Sequence, residues 1–278
     1  MPVRIVQSKQ NARLKELRRA LADPSREGER EPAAIGGIEG PNLVAEAIRA
    51  GLRIESVFVA DQSVRLLEGL SLTPEIEVLL LPRDLLASAL TTETPQPIAA
   101  LVQRPQWSWE RMLQPKTAPL ILVLAGLQDP GNLGTILRSA EAFGSSGIVS
   151  LPGTVSAWNP KAVRASAGSV FRVPLVAASV DECFSRLRAA KIPVWTTAAD
   201  GAKDASRTNL AGPMTIIIGN EGSGVPKAIA KQADGALTIP CPGPVESLNA
   251  AVAAGVLLYE ASRQRAAGPH PKRTGRAR

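Results

Sequence analysis

The polar residues of this chain that could do chemistry follow three short apolar runs, at residues 120–125, 215–219 and 236–240. After each run comes a loop rich in glycine, proline and polar residues, and then a helical pattern. Apolar runs of this length between turn residues predict buried β-strands. In an open α/β sheet, loops at the carboxyl ends of strands lie on one edge, where ligands bind. We therefore expect the three loops to form one pocket.

The first loop leads into a helix that we predict to begin near Asn132. The unpaired first-turn amides of such a helix, at its positive dipole end, suit an anionic or polar ligand. Asn132 and Arg138 are six residues apart, so at about 100° per residue they do not share one helix face. Both serve one site only if Asn132 lies in the turn and Arg138 reaches back. Otherwise Asn132 is a cap and Arg138 a solvated cation.

The second and third loops add three polar candidates. Glu221 stands among glycines, where its carboxylate either pairs with Arg138, accepts from backbone amides or is an exposed loop acid. Ser247 and Asn249 precede a long apolar helix, predicted from about residue 250 to 263, so each also has the simpler role of a helix cap. This aliphatic helix suits either a core or a dimer interface.

Several other chemistries are disfavoured by what the chain contains. Cys183 and Cys241 form no CxxC pair and the single histidine is His270, so we expect no metal site and no His-based catalytic triad. Dinucleotide-type and P-loop glycine fingerprints are missing. Because no apolar run approaches about 18 residues and no leader pattern opens the chain, we expect neither a membrane span nor a signal peptide. The expected location is the cytoplasm, with reduced thiols.

The three segments carry motifs with fixed spacing, Asn132-x-Gly134-x-x-x-Arg138, Gly219-x-Glu221-x-x-Gly224 and Ser247-Leu248-Asn249. In this order they resemble the motifs of the SpoU/TrmH family of RNA ribose 2′-O-methyltransferases, within the SPOUT superfamily. The resemblance implies an α/β fold with a mostly parallel sheet, whose last loop and helix form a deep trefoil knot. It also implies a homodimer whose active site takes residues from both subunits.

The same resemblance implies methyl transfer from S-adenosylmethionine to a ribose hydroxyl. It assigns catalytic roles to five residues, Asn132, Arg138, Glu221, Ser247 and Asn249. The backbones of Gly219, Ile239 and Leu248 would bind the adenosine, and Ser247 would also lie at the cofactor. By resemblance Arg138 handles the proton. Since a guanidinium keeps its proton at neutral pH, we favour a role in which Arg138 clamps phosphate and stabilises the developing alkoxide. Asn132 would orient Arg138 or the ribose.

Residues 33–103 alternate strand and helix patterns and predict a small α/β domain. Segments 38–47 and 92–97 resemble the substrate-binding domain found ahead of the SpoU catalytic domain, with a fold like that of ribosomal kink-turn-binding proteins. Pro97 departs from that pattern, which has glycine, so we expect a reshaped loop there. Ahead of this domain, residues 8–22 predict an amphipathic helix capped by Ser8, whose basic side chains either face solvent or line RNA.

The predicted organisation is therefore a basic helix and linker at 1–32, the substrate-binding domain at 33–103, a linker at 104–118, the methyltransferase domain at 119–264 and a basic tail at 265–278. The net charge is +7, but residues 263–278 hold six Lys or Arg and no acid, so the rest carries +1. Such a tail either touches phosphates or solubilises the chain. In the linker, Trp107 and Trp109 either stack on bases or pack against a domain.

We weigh three functions from these residues. The favoured one is an RNA 2′-O-methyltransferase that uses S-adenosylmethionine. The extra N-terminal domain favours 23S ribosomal RNA as its substrate, with transfer RNA as the alternative. A noncatalytic RNA-binding relative and a nucleotide-binding α/β enzyme of another kind are the other two. Because only 3% of residues are aromatic, we expect RNA recognition through shape and phosphate contacts.

Overall fold

The structure, a computed structural model, describes residues 2–22, 35–198, 202–244 and 247–267. The strands in these ranges are β1 (Val3–Ile5), β2 (Ile35–Glu39), β3 (Ile54–Ala60), β4 (Glu77–Leu81), β5 (Ile98–Gln103), β6 (Leu120–Ala125), β7 (Gly147–Ser150), β8 (Leu175–Ala177), β9 (Val194–Thr197), β10 (Lys203–Asp204), β11 (Met214–Gly219) and β12 (Gly235–Thr238). The helices are α1 (Ala12–Ala22), α2 (Pro41–Arg49), α3 (Arg83–Ala87), α4 (Trp109–Leu113), α5 (Pro130–Ala142), α6 (Pro160–Ser166), α7 (Val180–Ala189), α8 (Lys227–Ala230) and α9 (Ala250–Ala266).

The chain divides into two compact groups of contacting residues. The N-terminal unit comprises Met1–Trp107, Asp129–Arg138 and Val155–Arg172, and the C-terminal unit comprises Ser108–Gln128, Ser139–Thr154 and Val173–Arg278. Each unit combines separate stretches of the chain, so the units do not test where one predicted domain ends and the next begins. The predicted domain boundaries therefore stay a prediction. The predicted linker at 23–32 and the tail from residue 268 lie outside the described residues.

The N-terminal unit is built on a mixed sheet with strand order β1-β4-β3-β5-β2. Strand β5 is antiparallel to β2 and β3, whereas β4 is parallel to β3 and β1. The predicted α/β alternation is confirmed, with two differences. Within that alternation, the helical pattern around residues 64–68 forms a 3-10 helix at Asp61–Leu67, and β1 has no counterpart among the predicted elements.

Helix α1 packs on this sheet through a leucine stripe, as its spacing predicts. Leu14, Leu17 and Leu21 are buried in one cluster with core residues of β3, β4 and β5. The predicted cap is wrong, because the amide of Leu14 donates to Asn11 Oδ1 at 3.1 Å, whereas Ser8 accepts from Gln10 ahead of the helix. The helix therefore begins at Ala12 rather than after Ser8.

The sheet of the C-terminal unit has the order β10-β12-β9-β11-β6-β7-β8, and all its pairs are parallel. Every residue of β6 and β11 is buried, which is typical of strands covered on both faces. The predicted α/β fold with a mostly parallel sheet is thus confirmed. Strands β8 and β10 were not predicted, and the deep trefoil knot stays a prediction.

Two segments outside the predicted methyltransferase domain have defined structure in this unit. Helix α4 lies within the predicted linker, and its Trp109 is buried and donates from Nε1 to Glu182 Oε1 at 3.2 Å. For Trp109 the packing interpretation is therefore correct. Helix α9 continues to Ala266, and Arg265 donates to the carbonyl oxygens of Ala118 and Gly212 at 2.7 and 2.6 Å. Burial lowers the pKa of Arg265 from its ordinary value.

The described residues contain neither a helix that could span a membrane nor a cluster of metal ligands. No described helix is both long enough and apolar enough to cross a bilayer. Histidine, cysteine, aspartate and glutamate side chains of the described residues form no group of three that could hold a metal ion. The two cysteines are free thiols.

Candidate active site

The carboxyl edge of the parallel sheet brings together the loops of the C-terminal unit that the sequence singled out. Strands β6 and β11 run side by side, with Ala125 paired to Gly219, and β9 joins β11 to β12. Because these strands are parallel, residues 126–128, 220–224 and 239–244 all leave the sheet at the same edge. This edge is the candidate site.

Asn220 holds the first two loops together, and sequence reasoning missed it. Its Nδ2 donates to the carbonyl oxygen of Gly126 at 2.9 Å. Its Oδ1 accepts from the amides of Gly222 and Ser223 at 2.9 and 3.1 Å, and its backbone pairs with Gly224. An asparagine between a strand and a glycine-rich turn is typical of such side-chain-to-backbone turns, so the pattern offered a signal.

Gly219 is required by the way in which this loop folds back. A Cβ at residue 219 would lie 2.2 Å from the carbonyl carbon of Gly224 and 2.3 Å from the amide nitrogen of Val225. Gly224 has a φ of +66°, which favours glycine as well. These two glycines of the second motif thus allow residues 220–224 to close onto the end of β11.

Glu221 lies exposed on this closed loop and reaches the first loop. The amide of Gln128 donates to Glu221 Oε2 over a long distance of 3.4 Å. Of the roles that the sequence left open for Glu221, this contact corresponds to accepting from a backbone amide. The first loop is also fixed from the other side, because Thr154 Oγ1 accepts from the amide of Gly126 at 3.1 Å and donates to Leu124. Pairing of Glu221 with Arg138 stays a prediction.

The third loop ends in the N-terminus of α9. Asn249 Oδ1 accepts from the amides of Ala251 and Val252 at 2.9 and 3.2 Å, so the capping role is confirmed for Asn249. Ser247 is exposed and Leu248 half-buried just ahead of it. At the end of β12, Ile239 is half-buried and its carbonyl accepts from the thiol of Cys241 at 3.4 Å.

The positions of Asn132 and Arg138 on α5 differ from the arrangement that the sequence suggested. Helix α5 begins at Pro130, two residues before the predicted start, because proline is well suited to the first helical position. Asn132 is therefore in the first helical turn, with 9% of its surface exposed. Arg138 is exposed about 9 Å farther along the helix and about 120° around it. Asn132 therefore lies within the helix and not in the turn before it, which was the condition set for a site shared with Arg138.

Gly134, the middle residue of the first motif, has a packing role. A Cβ there would lie 2.5 Å from the carbonyl oxygen of Ala162 and from the Cβ of Ala165. Helices α5 and α6 approach each other closely at this point, which only glycine allows.

Comparison with known proteins identifies the chain. The model of the SpoU rRNA Methylase family matches residues 119–259, and that of the RNA 2′-O ribose methyltransferase substrate-binding family matches residues 38–108. The chain belongs to the SpoU rRNA methylase family. The predicted family and its enzyme class, RNA ribose 2′-O-methyltransferase, are confirmed.

Similar SpoU proteins cover most of the chain. It is 35% identical to the 23S rRNA (guanosine(2553)-2′-O)-methyltransferase RlmP of Bacillus subtilis, over 80% of this chain and 86% of that protein. An uncharacterized tRNA/rRNA methyltransferase of Mycolicibacterium vanbaalenii is 33% identical over 81% of this chain and 76% of its own. The crystal structure of the SpoU methyltransferase AviRb from Streptomyces viridochromogenes, in complex with the cofactor AdoMet, matches with a TM-score of 0.80 and 28% identity, covering 94% of this chain and 100% of that one.

Proposed function

We propose that this SpoU methyltransferase transfers a methyl group from S-adenosylmethionine to a ribose 2′-hydroxyl of 23S ribosomal RNA. The observation that carries the proposal is the glycine loop at residues 219–224, closed onto the strand end beside the first loop in a chain of this family. The name of the Bacillus relative favours 23S ribosomal RNA. The name of the Mycolicibacterium relative includes tRNA, which keeps transfer RNA as the alternative. Labelled methyl transfer to each RNA pool tests the proposal.

The carboxyl edge of the C-terminal unit fits an adenosine cofactor. Residues 126–128, 220–224 and 239–244 offer mostly backbone groups, with Glu221 as their one charged side chain. Ile239 and Leu248 are apolar and half-buried, which suits a flat purine. The backbones of Gly219, Ile239 and Leu248, with Ser247 beside them, would hold the cofactor. When bound, S-adenosylmethionine supplies a methyl group on a sulfonium, ready for in-line displacement.

The chain's own side chains then have to position and activate the ribose. The exposed guanidinium of Arg138 clamps a phosphate of the RNA and stabilises the developing alkoxide, since its fork geometry matches anionic oxygens. Glu221 anchors the loop through the amide of Gln128, and Asn249 at the start of α9 is assigned to the acceptor ribose. Of the two roles left open for Asn132, we assign it the orientation of the ribose. It is not assigned the orientation of Arg138, because the two side chains leave α5 in different directions. In this scheme the active site also takes residues from a second copy of the chain, as the resemblance implies.

A second copy of the chain is the proposed occupant of an apolar stripe on α9. Val252, Val256 and Tyr259 are spaced by four and three residues, so they share one helix face, and all are exposed. Phe143, just past α5, packs edge-on against Tyr259 with ring centroids 5.8 Å apart. Large exposed apolar patches are typical of interaction sites, and the resemblance implies a homodimer.

We expect Val256→Asp to convert the dimer into a monomer, because a carboxylate in an apolar interface has no partner to offset its desolvation. Light scattering after size exclusion should give twice the monomer mass for the native chain and the monomer mass for the variant. Val64→Asp is the matched control, since Val64 and Val256 are both 41% exposed. A native chain that is monomeric, or a Val256→Asp chain that stays dimeric, would refute this interface.

The rate at which a thiol reagent modifies the two cysteines can report whether the cofactor is bound. Burial raises the pKa of Cys183 to about 12, so at pH 8 this thiol is protonated and should not react with a thiol reagent. Cys241 is half-buried beside Ile239 and should react. We expect one reactive thiol per chain, and S-adenosylmethionine should slow its modification. Equal rates with and without the cofactor would place the cofactor away from the third loop.

The cytoplasmic location, where thiols stay reduced, is part of the proposal.

A further inference from the structure

The positive charge of the chain is concentrated near its two ends. Residues 1–22 hold six Lys or Arg and one acid, a net charge of +5, and residues 263–278 hold +6. Because the whole chain carries +7, the residues between these two segments carry −4. A body of that charge does not attract a polyanion, so an RNA should meet the protein where the cations are concentrated. Most of the N-terminal cations lie on α1.

Helix α1 packs tightly on one face of the mixed sheet. Leu14, Leu17 and Leu21 are buried there. Gly37 of β2 allows the close approach, because a Cβ at that residue would lie 2.8 Å from the Cγ of Leu21. The leucine stripe is therefore used inside the unit and cannot insert into a bilayer, as the apolar face of a membrane-surface helix does. The opposite side of α1 is the one open to solvent.

This open side of α1 is basic. We use the name α1 face for the exposed residues Lys15, Arg18 and Arg19, together with Lys9 in the turn ahead of the helix. Lys15 and Arg19 lie about 6 Å apart along the helix axis and on the same side. Neither forms an ion pair with a described acid. Arg18 donates to the carbonyl oxygen of Ser88 at 2.7 Å, which positions its guanidinium without neutralising its charge.

The acids on this side of the unit do not cancel the α1 face. Glu16, the one acid of α1, lies 2.9 Å from Arg13. Glu77 lies 2.9 Å from Arg4 and 3.5 Å from Arg13, so these two acids are matched by two arginines that are not part of the α1 face. Helix α3 packs on the same face of the sheet and begins with an exposed arginine and an exposed aspartate, which balance each other. The α1 face therefore keeps its net positive charge.

The cations of the α1 face work against the stability of the helix that carries them. Lys15 stands three residues before Arg18 and four before Arg19, and like charges at these spacings destabilise a helix. The first turn of α1 contains no acid, although an acid there would favour the positive end of the helix dipole. Features that lower stability without a packing benefit are typical of functional surfaces. The function that unpaired cations can perform is to bind an anion.

We propose that the α1 face binds the phosphate backbone of a base-paired segment of the RNA substrate. The inference rests on the proposed function for its substrate class. Lysine and arginine contact phosphates without reading the sequence. The α1 face has no aromatic side chain on which an unpaired base could stack, whereas double-stranded RNA is recognised mainly through its shape and phosphates. The surface lies outside residues 38–108, which match the substrate-binding family.

The test measures binding of the full-length protein to a labelled RNA duplex of about 20 base pairs and to oligo(U) of the same length, by fluorescence anisotropy at several salt concentrations. We expect Lys15→Glu to weaken duplex binding at least about tenfold at 0.1 M salt. Lys15→Gln combined with Arg19→Gln should lower the slope of log affinity against log salt by about 1.4–1.8, as expected for two lost phosphate contacts. Arg65→Glu makes the same charge change at another exposed residue of the N-terminal unit and should bind nearly as the native protein does.

Thermal stability supplies a second readout. Lys15→Glu should melt at the native temperature or above it, because its carboxylate would stand four residues before Arg19, the favourable order for a helical ion pair, and near the positive end of α1. Lower RNA affinity in this variant would then not be a folding defect. In methyl transfer to total ribosomal RNA, we expect Lys15→Glu to raise KM for RNA and to keep kcat. If Lys15→Glu melts at a lower temperature, the double glutamine variant decides the outcome in its place.

Native duplex affinity in these variants, or an equal loss in Arg65→Glu, would overturn the inference. A native protein that binds oligo(U) but not the duplex would overturn it as well. Methyl transfer by the native protein is measured on the same preparation. Transfer together with duplex affinity that does not depend on Lys15 removes only the role of the α1 face, whereas Lys15-dependent duplex affinity without transfer removes only the proposed function.

Discussion

Replacing Gly219 with alanine is expected to weaken S-adenosylmethionine binding about 10- to 100-fold, as measured by titration calorimetry. The new Cβ would lie 2.2 Å from the carbonyl carbon of Gly224, which is backbone and cannot rotate away. Overpacking of this kind costs about 1–3 kcal/mol, and each 1.4 kcal/mol is a factor of ten in affinity. The loop at residues 220–224 must therefore open, and the strand end that carries the proposed adenosine contacts is displaced.

Gly222 provides the matched control within the same loop. A Cβ at residue 222 would meet only Asn220 Oδ1, at 3.6 Å, which is an ordinary contact. Gly222→Ala should therefore bind the cofactor with nearly native affinity, and thermal melting should show that both variants are folded. If Gly219→Ala binds as well as the native protein, or if Gly222→Ala is equally impaired, the second loop is not where the cofactor binds.

Replacing Arg138 with alanine is expected to lower the rate of methyl transfer about 100- to 1,000-fold while S-adenosylmethionine affinity is retained. Removal of one group that stabilises a developing oxyanion has effects of this size in other enzymes. Arg138 is exposed on α5, so its loss should leave the fold intact. Single-turnover kinetics with saturating cofactor separates the chemical step from binding.

Two further variants test the role of Arg138 in methyl transfer. Arg138→Lys keeps the charge but not the planar fork, so we expect a rate between those of the native and alanine proteins. Arg83→Ala removes another exposed arginine of the N-terminal unit and should transfer methyl groups at a nearly native rate. Near-native rate and RNA affinity in Arg138→Lys would contradict the clamp role, because a point charge would then suffice.

The sequence predicts long buried elements well, and the reason is visible in β6. A strand covered on both faces needs an unbroken apolar run, so the pattern at residues 120–125 matches β6 at both ends. Short strands have no such signature. Strand β10 consists of Lys203 and Asp204 at the end of the strand order, where pairing with β12 depends on neighbours far away in the chain.

Helix ends were harder to predict than helices, because several residues compete for each cap. Ser8 and Asn11 are both good caps, and in the structure Asn11 caps α1, whose Leu14 is buried against the sheet. Pro130 is typical of a turn but begins α5, two residues before the predicted start of the helix. Asn132 is therefore inside the first helical turn.

The candidate site was predicted in its outline and not in its internal support. The motif spacing singled out Gly219 and Glu221 as candidates, but the need for glycine at residue 219 comes from a contact with Gly224 that appears only once the loop closes. Asn220 does most of the hydrogen bonding in this loop, yet its side chain bonds to Gly126, which is 94 residues away in sequence. Such contacts depend on strand pairing, which periodicity does not reveal.

The most direct test of the central claim is methyl transfer from labelled S-adenosylmethionine to total ribosomal RNA and, separately, to total transfer RNA, followed by nuclease digestion and mass spectrometry of the nucleosides. We predict a ribose 2′-O-methylated nucleoside in the ribosomal RNA, and in its 23S component when that is purified before digestion, that disappears with Arg138→Ala. The same nucleoside in transfer RNA alone would replace the proposed substrate and keep the chemistry. Cofactor binding without transfer to either pool, or a methyl group on a base instead of a ribose, would contradict the account.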